Sequence, residues 1–420
     1  MGYQFSLSGS DVFDSIYPDR KKAEKRYRDL RRRFEDLFSR SPLFFVSAPG
    51  RAEIVGNHTD HNKGKVLAAA VDLDTVCAVA PRDDTRIVIW SEGYNTPFVV
   101  DISDVAVHSD EYETTNAIIR GVAAGLQRQG YRTGGFEGCV TSNVFKGSGL
   151  SSSAAFEVML TACFDVLYND WTIEPMTNAR ISQYAENQYF GKPSGLLDQS
   201  TSAVGSLVSI DFGSEKAAVR RLEADFSRLG FALCVVSVGG EHGNLTGEYA
   251  SIPEDMRSVA SELGRDVLRG VDEIELRHAI PRLKGLVKDR ALLRAFHFIH
   301  ENERVEKAVE QIRREDMESF LQTVIASGES SWKLLQNLYV PSSDNQEMPL
   351  ALELSRQILQ GRGAWRIHGG GFAGTILAFV PFDLLDEYKD YMDSVFGERA
   401  TTVLNVRGAG AVCFSAEDFK

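Results

Sequence analysis

The chain has 420 residues, of which 43% are hydrophobic, and it has a net charge of −13 at neutral pH. This length allows two domains with full cores, and the apolar fraction excludes global disorder. The negative charge argues against a nucleic-acid partner, which normally requires a basic face, although backbone amides can still bind a phosphate locally.

The five cysteines are widely separated and none forms a Cys-x-x-Cys pair. We therefore expect reduced thiols, as in a cytosolic protein. The first residues lack a basic segment followed by an apolar one, and no run approaches the roughly 18 apolar residues of a membrane span. These patterns predict a soluble cytoplasmic protein without a membrane partner, and we expect a monomer or a weak homo-oligomer.

An amphipathic helix is predicted over residues 20–40. Its charged positions mix basic and acidic residues, which favours a solvated helix face over a nucleic-acid-binding arm. Its apolar stripe consists of Tyr27, Leu30, Phe34 and Leu37.

A strand over residues 44–49 is followed by a polar segment, residues 50–72, with the sequence GRAEIVGNHTDHNKGKVLAAAVD. Asn57 and Asp60 offer fixed donors and acceptors that could bind sugar hydroxyls. His58 and His61 form a His-x-x-His pair, but the glutamate and the helix of a zinc motif are absent. A polar hairpin turn is the plain alternative.

Further strands are predicted over 75–80, 87–91, 98–102 and 136–143, with a helix over 116–129 between the last two. The segment FKGSGLSSSAAFE, residues 145–157, comes next and leads into a helical pattern. A glycine-rich loop that opens a helix presents unpaired N–H groups to an anion, and a serine hydroxyl there can bind magnesium.

An ordinary capped helix after a flexible turn is the alternative for this segment. The loop lacks the Gly-Lys-Ser/Thr of a Walker A motif and the Gly-x-Gly-x-x-Gly spacing of a dinucleotide site.

A helix predicted over residues 177–189 contains Glu186, and a turn-rich segment with Asp198 follows it, just before a strand over 206–212. A carboxylate at this place could be a base with a metal ligand beside it. The alternative is that Asp198 caps a short helix.

The second half is predicted to begin with a strand over 231–238, after which Tyr249 lies in a loop or at a helix start. Residues 253–337 are mostly helical, and His297 and His300 share one helix without a third ligand, which favours a structural role. Residues 364–380 are predicted as a strand, a glycine turn and then a strand or a helix, and further strands are predicted over 402–406 and 412–414. Strands and helices alternate without regular βαβ spacing, so the fold class is α+β.

Four segments, in order, resemble motifs of the GHMP small-molecule kinases, and of the galactokinases among them. They are APGRAEIVGNHTDHNKGKVL, KGSGLSSSAAFE, AENQYFGKPSGLLDQ and RIHGGGFAGTILAF. The resemblance covers about residues 44 to 414. It implies the two-domain GHMP kinase fold, with an N-terminal domain like domain 2 of ribosomal protein S5 over residues 1–213 and an α+β C-terminal domain over 214–420.

The resemblance also implies transfer of the ATP γ-phosphate to a sugar hydroxyl, with Mg²⁺. Asp198 falls on the catalytic aspartate and Arg51 on the arginine that faces it. Ser153 and Glu186 fall on magnesium ligands. The phosphate loop corresponds to Gly147, Ser148, Gly149, Leu150, Ser151, Ser152 and Ser153. The sugar-binding positions correspond to Asn57, His58, Thr59, Asp60 and Tyr249.

The chain departs from the galactokinase pattern at several positions of the first motif. Asn57 replaces a glutamate that contacts the hydroxymethyl end of the sugar, His61 replaces a tyrosine, and Glu53 replaces an asparagine. An amide keeps hydrogen bonding but loses the charge, so these positions leave the identity of the sugar open.

Three functions are compatible with these residues. The first is an ATP-dependent galactokinase. The second is a related kinase for another sugar, such as an N-acetylhexosamine, L-arabinose or a uronic acid. The third is a catalytically idle sugar-sensing regulator, although such a protein would have no need of all four residues of the phosphoryl-transfer set.

Overall fold

The structure is a computed structural model that describes residues 9–144, 149–239, 245–340, 344–372 and 374–419. Gly147 and Ser148 of the predicted phosphate loop lie outside these ranges. The helices and strands are α1 Ser10–Ile16, α2 Arg20–Phe38, β1 Phe44–Val55, β2 Lys65–Pro81, β3 Arg86–Ser91, β4 Phe98–Asp101, α3 Thr115–Arg128, β5 Phe136–Ser142, α4 Ser152–Tyr168, α5 Pro175–Ala185, α6 Leu197–Val204, β6 Leu207–Asp211, β7 Ala218–Leu222, β8 Phe231–Gly239, α7 Thr246–Glu262, α8 Glu273–Leu283, α9 Asp289–Arg313, α10 Met317–Ser330, α11 Glu347–Leu359, β9 Ala364–Ile367, β10 Gly374–Pro381, α12 Leu385–Phe396, β11 Thr401–Leu404 and β12 Val412–Ser415.

The predicted amphipathic helix is confirmed as α2. The Asp19 carboxylate caps its first turn by accepting the Lys22 N–H at 3.0 Å, and Ser39 ends it in the left-handed conformation. Its buried face packs on the sheet and contains Ala23, Tyr27, Leu30 and Phe34.

Within the described residues, the larger sheet has eight strands, in the order β12-β1-β2-β5-β3-β4, with β6 on the first half of β2 and β7 on β6. Its pairs are antiparallel except for β3 and β5. The alternation of side chains sends Val46 to a core with α3 and α4, and Phe45 to a core with α1 and α2. Helices therefore cover both faces of this sheet.

Strand β1 continues past the point where a turn was predicted, because its pairing with β2 is interrupted rather than ended. The register shifts between Pro49 and Arg51, and again between Glu53 and Val55. Such irregularities bend a strand and re-aim its side chains. Arg51 and Glu53 are two residues apart between the two shifts, so their side chains leave the strand on the same face.

The smaller sheet, as far as the structure describes it, has four antiparallel strands in the order β11-β8-β10-β9. Helices α11 and α12 pack on this sheet, while α7, α8 and α9 share a separate core. Among the described helices, none combines the length and the apolar composition that crossing a membrane would require.

The two sheets are joined by a common apolar core. This core brings together Ile54 and Leu67 from the larger sheet, Leu233 and Leu377 from the smaller one, and Phe320 from α10. The α+β class predicted from the sequence is confirmed. The predicted division at residues 213 and 214 does not separate the sheets, because β7 and β12 both belong to the larger one.

Candidate active site

A pocket of about 660 Å³ lies where the larger sheet, the start of α4 and the smaller sheet meet. Segments far apart in the chain contribute its polar lining, which includes Arg51, Asp60, Ser151, Lys192, Asp198 and Tyr249.

Asp198 and Arg51 form the central ion pair of this pocket. Arg51 donates from Nε to Oδ1 of Asp198 at 2.7 Å and from Nη2 to Oδ2 at 2.9 Å. Its Nη1 donates to the Gly149 carbonyl at 2.5 Å. This two-pronged geometry fixes the carboxylate plane as well as its position.

Asp198 is the second residue of α6, but it does not cap that helix. Leu196 occupies the cap position, without a side-chain hydrogen bond. Burial raises the pKa of Asp198, but the Arg51 charge and a hydrogen bond from the Ser151 hydroxyl outweigh it, so this pKa lies below its ordinary value. The carboxylate is therefore ionised at neutral pH.

The described part of the predicted phosphate loop lies directly above this pair. Ser151 is in the left-handed conformation and precedes α4, so Ser152 and Ser153 begin the helix with first-turn N–H groups that have no partner within the helix itself. Leu150 is buried, and its carbonyl accepts the Arg51 N–H at 3.0 Å.

Gly149 lies so close to the smaller sheet that no side chain fits there. Its φ is +70°, and a Cβ atom would lie 2.1 Å from Oγ1 of Thr375 and 2.9 Å from Nδ1 of His368. The backbone of the loop is therefore in direct contact with the Thr375 and His368 side chains of the third glycine motif, as a site shared by two sheets requires.

Ser153 and Glu186 approach each other at the opposite wall, where the Ser153 hydroxyl lies 3.4 Å from Oε1 of Glu186. The same oxygen accepts from Nζ of Lys192 at 3.1 Å, and that lysine is half-exposed in the pocket. Glu186 begins a wide helical turn, Glu186–Phe190, that follows α5.

Behind Glu186, Gln199 donates to Oε2 of Glu186 at 2.8 Å and to Oε2 of Glu157 at 3.1 Å. Burial, and then the neighbouring Glu186, raise the pKa of Glu157 well above its ordinary value. Two buried oxygens here, Oε1 of Glu157 and Oε1 of Gln199, lack partners among the described groups. An oxygen-rich corner of this kind, with the Ser153 hydroxyl in the pocket lining and the buried Glu186 carboxylate beside it, fits a hard cation such as Mg²⁺.

Asp60 and His58 line the other end of the pocket. Asp60 accepts the Leu197 N–H at 3.3 Å, and a Cβ on Gly195 would lie 1.7 Å from its Oδ2. The His58 ring donates from Nε2 to the Gly370 carbonyl at 2.9 Å. Burial lowers the pKa of His58 to about 4, so its ring is neutral.

Tyr249 stands in the first turn of α7 and closes the pocket from the helical side. Its hydroxyl donates to the Gly371 carbonyl at 2.9 Å, and its ring packs edge-on against Phe372. The sequence prediction that it lies at a helix start near the site agrees with this placement.

Asn57, a predicted sugar contact, is fully buried and does not line the pocket. Its Nδ2 donates to Glu53 at 2.9 Å and to the Gly369 carbonyl at 2.8 Å, and its Oδ1 accepts from Asn337 at 2.9 Å. Every polar atom of the amide is thus occupied by the protein.

Thr59, another predicted sugar contact, is also buried and does not line the pocket. Its hydroxyl donates to the Gly56 and Lys65 carbonyls and tightens the turn between β1 and β2. This is a structural use of a threonine hydroxyl.

Sequence reasoning did not assign a role in the site to Glu53, Lys192 or His368, all of which line the pocket. Nε2 of His368 accepts the Glu53 N–H at 3.2 Å. Burial, then the charges of two arginines, lower the pKa of His368 well below its ordinary value. The ring is therefore neutral, with its proton on Nδ1. The spacing of Glu53 from Arg51 was the available signal, since alternate strand residues share a face.

His297 and His300 do not share a ligand. The buried His297 ring bridges Ser330 and the Asn57 carbonyl at 2.9 Å each, while His300 pairs with Glu273 at 3.2 Å. Within the described ranges, no group of three or more His, Cys, Asp and Glu residues is arranged to hold a metal.

The fold and the glycine-serine loop define the class of protein as the GHMP kinases. The family described as GHMP kinases N terminal domain matches residues 116–206. Mevalonate kinase from Methanococcus jannaschii shares the fold with a TM-score of 0.60 at 12% identity, over 90% of this chain and 99% of that one. Galactokinase from Lactococcus lactis, solved in complex with galactose, shares it with a TM-score of 0.80 at 22% identity, over 91% and 98% of the two chains.

Sequence comparison identifies the family within this class. The galactokinase galactose-binding signature matches residues 32–81. Galactokinase from Streptomyces coelicolor is 31% identical over 391 residues, which cover 90% of this chain and 96% of that protein. The chain therefore belongs to the galactokinase family.

Proposed function

We propose that this chain transfers the γ-phosphoryl group of ATP to the anomeric hydroxyl of galactose, which yields galactose 1-phosphate and ADP. The observation that carries the proposal is the ionised Asp198, held by Arg51 between the glycine-serine loop and the polar end of β1. Membership of the galactokinase family supports the choice of sugar and of phosphoryl donor.

In the proposed step, the sugar oxygen forms a bond to the γ-phosphorus, the bond from phosphorus to the ADP oxygen breaks, and the hydroxyl proton moves to Asp198. A carboxylate with a lowered pKa is a weak base. The proton therefore moves late, once the bond to phosphorus has made the sugar hydroxyl acidic. The task of Asp198 is then to orient the nucleophile and to accept the proton as the transfer completes.

Arg51 acts as a positioning cation in this proposal. Each of its three guanidinium nitrogens donates to Asp198 or to the Gly149 carbonyl, so one side chain sets the distance between base and loop. Its positive charge also lies where negative charge would develop on the phosphoryl group during transfer.

Ser153 and Glu186 would hold Mg²⁺, with phosphate oxygens and water completing its shell. When bound, the ion would neutralise phosphate charge. Lys192 donates to the Glu186 carboxylate in this structure, and we infer that it would have to release this carboxylate for a cation to bind there. The five cysteines are all unpaired and buried, which supports the proposed location in the reducing cytoplasm.

The test is ADP release by the purified protein with galactose, N-acetylgalactosamine, L-arabinose and galacturonate. Galactose should give the highest kcat/KM. The Asp198→Asn variant keeps the shape of the side chain and should lose about 10²–10⁴-fold in kcat, with its sugar affinity retained. Equal rates for the two proteins would remove Asp198 from the mechanism, and sugar binding without turnover by the natural chain would favour the sugar-sensing regulator.

A further inference from the structure

Glu53 lines the same pocket as the carboxylates of Asp198 and Asp60, and the reaction proposed above does not use it. It lies two residues after Arg51 on β1, with its side chain on the same face, and it lines the pocket while being only 5% exposed. Burial raises the pKa of Glu53 above its ordinary value, while the charges of Arg366 and Arg51 favour its ionised form.

One oxygen of Glu53 is held firmly by the protein. Oε1 accepts from Nη2 of Arg366 and from Nδ2 of Asn57, both at 2.9 Å. Arg366 is fully buried and donates its other nitrogens to the Ile54 and Ile367 carbonyls. The carboxylate is therefore fixed in place before any ligand arrives.

The other oxygen is the one available to a ligand. The hydrogen bonds from the described residues to this carboxylate all reach Oε1, and none of them reaches Oε2. By contrast, the Asn57 amide has partners on both its nitrogen and its oxygen and lies outside the pocket. The Glu53 carboxylate can therefore accept a hydrogen bond from a ligand, whereas the Asn57 amide cannot.

We propose that Glu53 is the specificity-determining residue of this pocket, that it accepts a hydrogen bond from a hydroxyl of a neutral sugar, and that Asn57 and Arg366 position it. A fixed carboxylate binds hydroxyl donors and repels a sugar carboxylate, so the pocket selects neutral sugars over uronic acids. This inference rests on the proposed function insofar as the ligand is a sugar.

The test compares the natural chain with Glu53→Gln, first in galactose binding by calorimetry and then in kcat/KM for galactose and galacturonate. Glutamine can keep its oxygen on Arg366 and Asn57, and it then presents an N–H₂ donor to the pocket. Galactose binding should weaken by roughly 10- to 100-fold, as expected when a charged acceptor is lost. The ratio of galacturonate to galactose in kcat/KM should rise by a similar factor.

Asp255→Asn is the matched control. Asp255 is also a buried carboxylate paired with arginines, since it accepts from Arg290 at 2.7 Å and from Arg294 at 2.8 Å, but it does not line the pocket. Both variants should lose thermal stability, but only Glu53→Gln should change the ratio between the two sugars. If Glu53→Gln leaves galactose affinity and this ratio unchanged, Glu53 only supports Arg366 and the inference is wrong.

The calorimetric measurement of galactose binding tests this inference independently of the proposed function. If the natural chain binds galactose without phosphorylating it, the proposed activity fails while the role of Glu53 is still decided by the affinity of the variant. If the natural chain binds no neutral sugar, the inference is overturned.

Discussion

At the scale of single residues, the Arg51–Asp198 pair sets the protonation state of the site. Arg51 lowers the pKa of Asp198 against the effect of burial, so Asp198 stays ionised at least down to its ordinary value of 3.8. Activity of the natural chain should therefore show no loss due to Asp198 between about pH 5 and 8.

Replacing Arg51 by glutamine should shift this behaviour in a defined direction. Without the cation, burial dominates and the pKa of Asp198 rises. The acidic limb of kcat/KM, in which the base becomes protonated, should then move to higher pH. Arg51→Lys keeps the charge and should leave the limb near its original pH. An identical limb in all three proteins would mean that Asp198 is not the titrating base.

Positions 53 and 57 should be energetically coupled, because Glu53 and Asn57 share a 2.9 Å hydrogen bond in a buried network. Asn57→Glu buries a second carboxylate beside the first, and Glu53→Asn leaves Arg366 unpaired. Each single change should cost about 3 kcal/mol or more in the free energy of unfolding.

The exchanged double variant, Glu53→Asn with Asn57→Glu, again has one carboxylate and one amide. Unfolding in denaturant should show it to be more stable than the sum of the single changes implies, by about 2–3 kcal/mol. Strictly additive costs would show that the two side chains act independently.

The chemical character of the site residues could be predicted from the sequence, but whether each side chain faces the pocket could not be predicted for all of them. Asp198, Arg51 and Asp60 face the pocket as their motifs indicate. Asn57 does not, because Asn337, 280 residues later in the chain, takes its oxygen. A partner so distant leaves no local pattern from which this burial could be read.

At the scale of elements, the glycine-serine loop and the strand β10 are in close contact at the site. Gly149→Ala would place a Cβ 2.1 Å from Thr375 and strain a backbone with φ of +70°. We expect weaker ATP binding with galactose binding little changed, since the loop would shift away from the phosphate side.

Gly130→Ala is the matched control, because Gly130 has a similar φ of +82° and no atom within 4 Å of its hypothetical Cβ. Both variants have about 1–2 kcal/mol of backbone strain. Calorimetric titration with ATP should separate them, and an equal effect of both on ATP affinity would show that the contact with Thr375 is unimportant.

Most helices and strands were predictable from the sequence, including α2 and the strand β9 before the third glycine motif, whereas the segment after this motif was predicted as a strand or a helix and is the strand β10. The continuation of β1 past Pro49 was missed, since a proline followed by a glycine usually signals a turn. The pairing of β1 with β2 resumes at Arg51 after an irregularity, which depends on the partner strand. The short helix α6 was predicted only as the alternative for the segment around Asp198, since the glycine and proline residues before it resemble a continuous loop.

At the scale of the whole molecule, the pocket is built from segments of both sheets that are far apart in the chain. The last strand, β12, pairs with β1, and β1 supplies Arg51 and Glu53. The smaller sheet and its helices supply Tyr249, Thr375 and His368 from the other side. A reaction between two substrates fits such a junction, where groups from both halves meet around one carboxylate.

The most direct test of the central claim is the position of the phosphate in the product. The natural chain, galactose, ATP and Mg²⁺ should yield ADP and a sugar phosphate whose ³¹P NMR signal couples to the anomeric proton, and the Asp198→Asn protein should yield almost none. A phosphate on another carbon, or no sugar phosphate from folded natural protein with saturating ATP, would contradict the account.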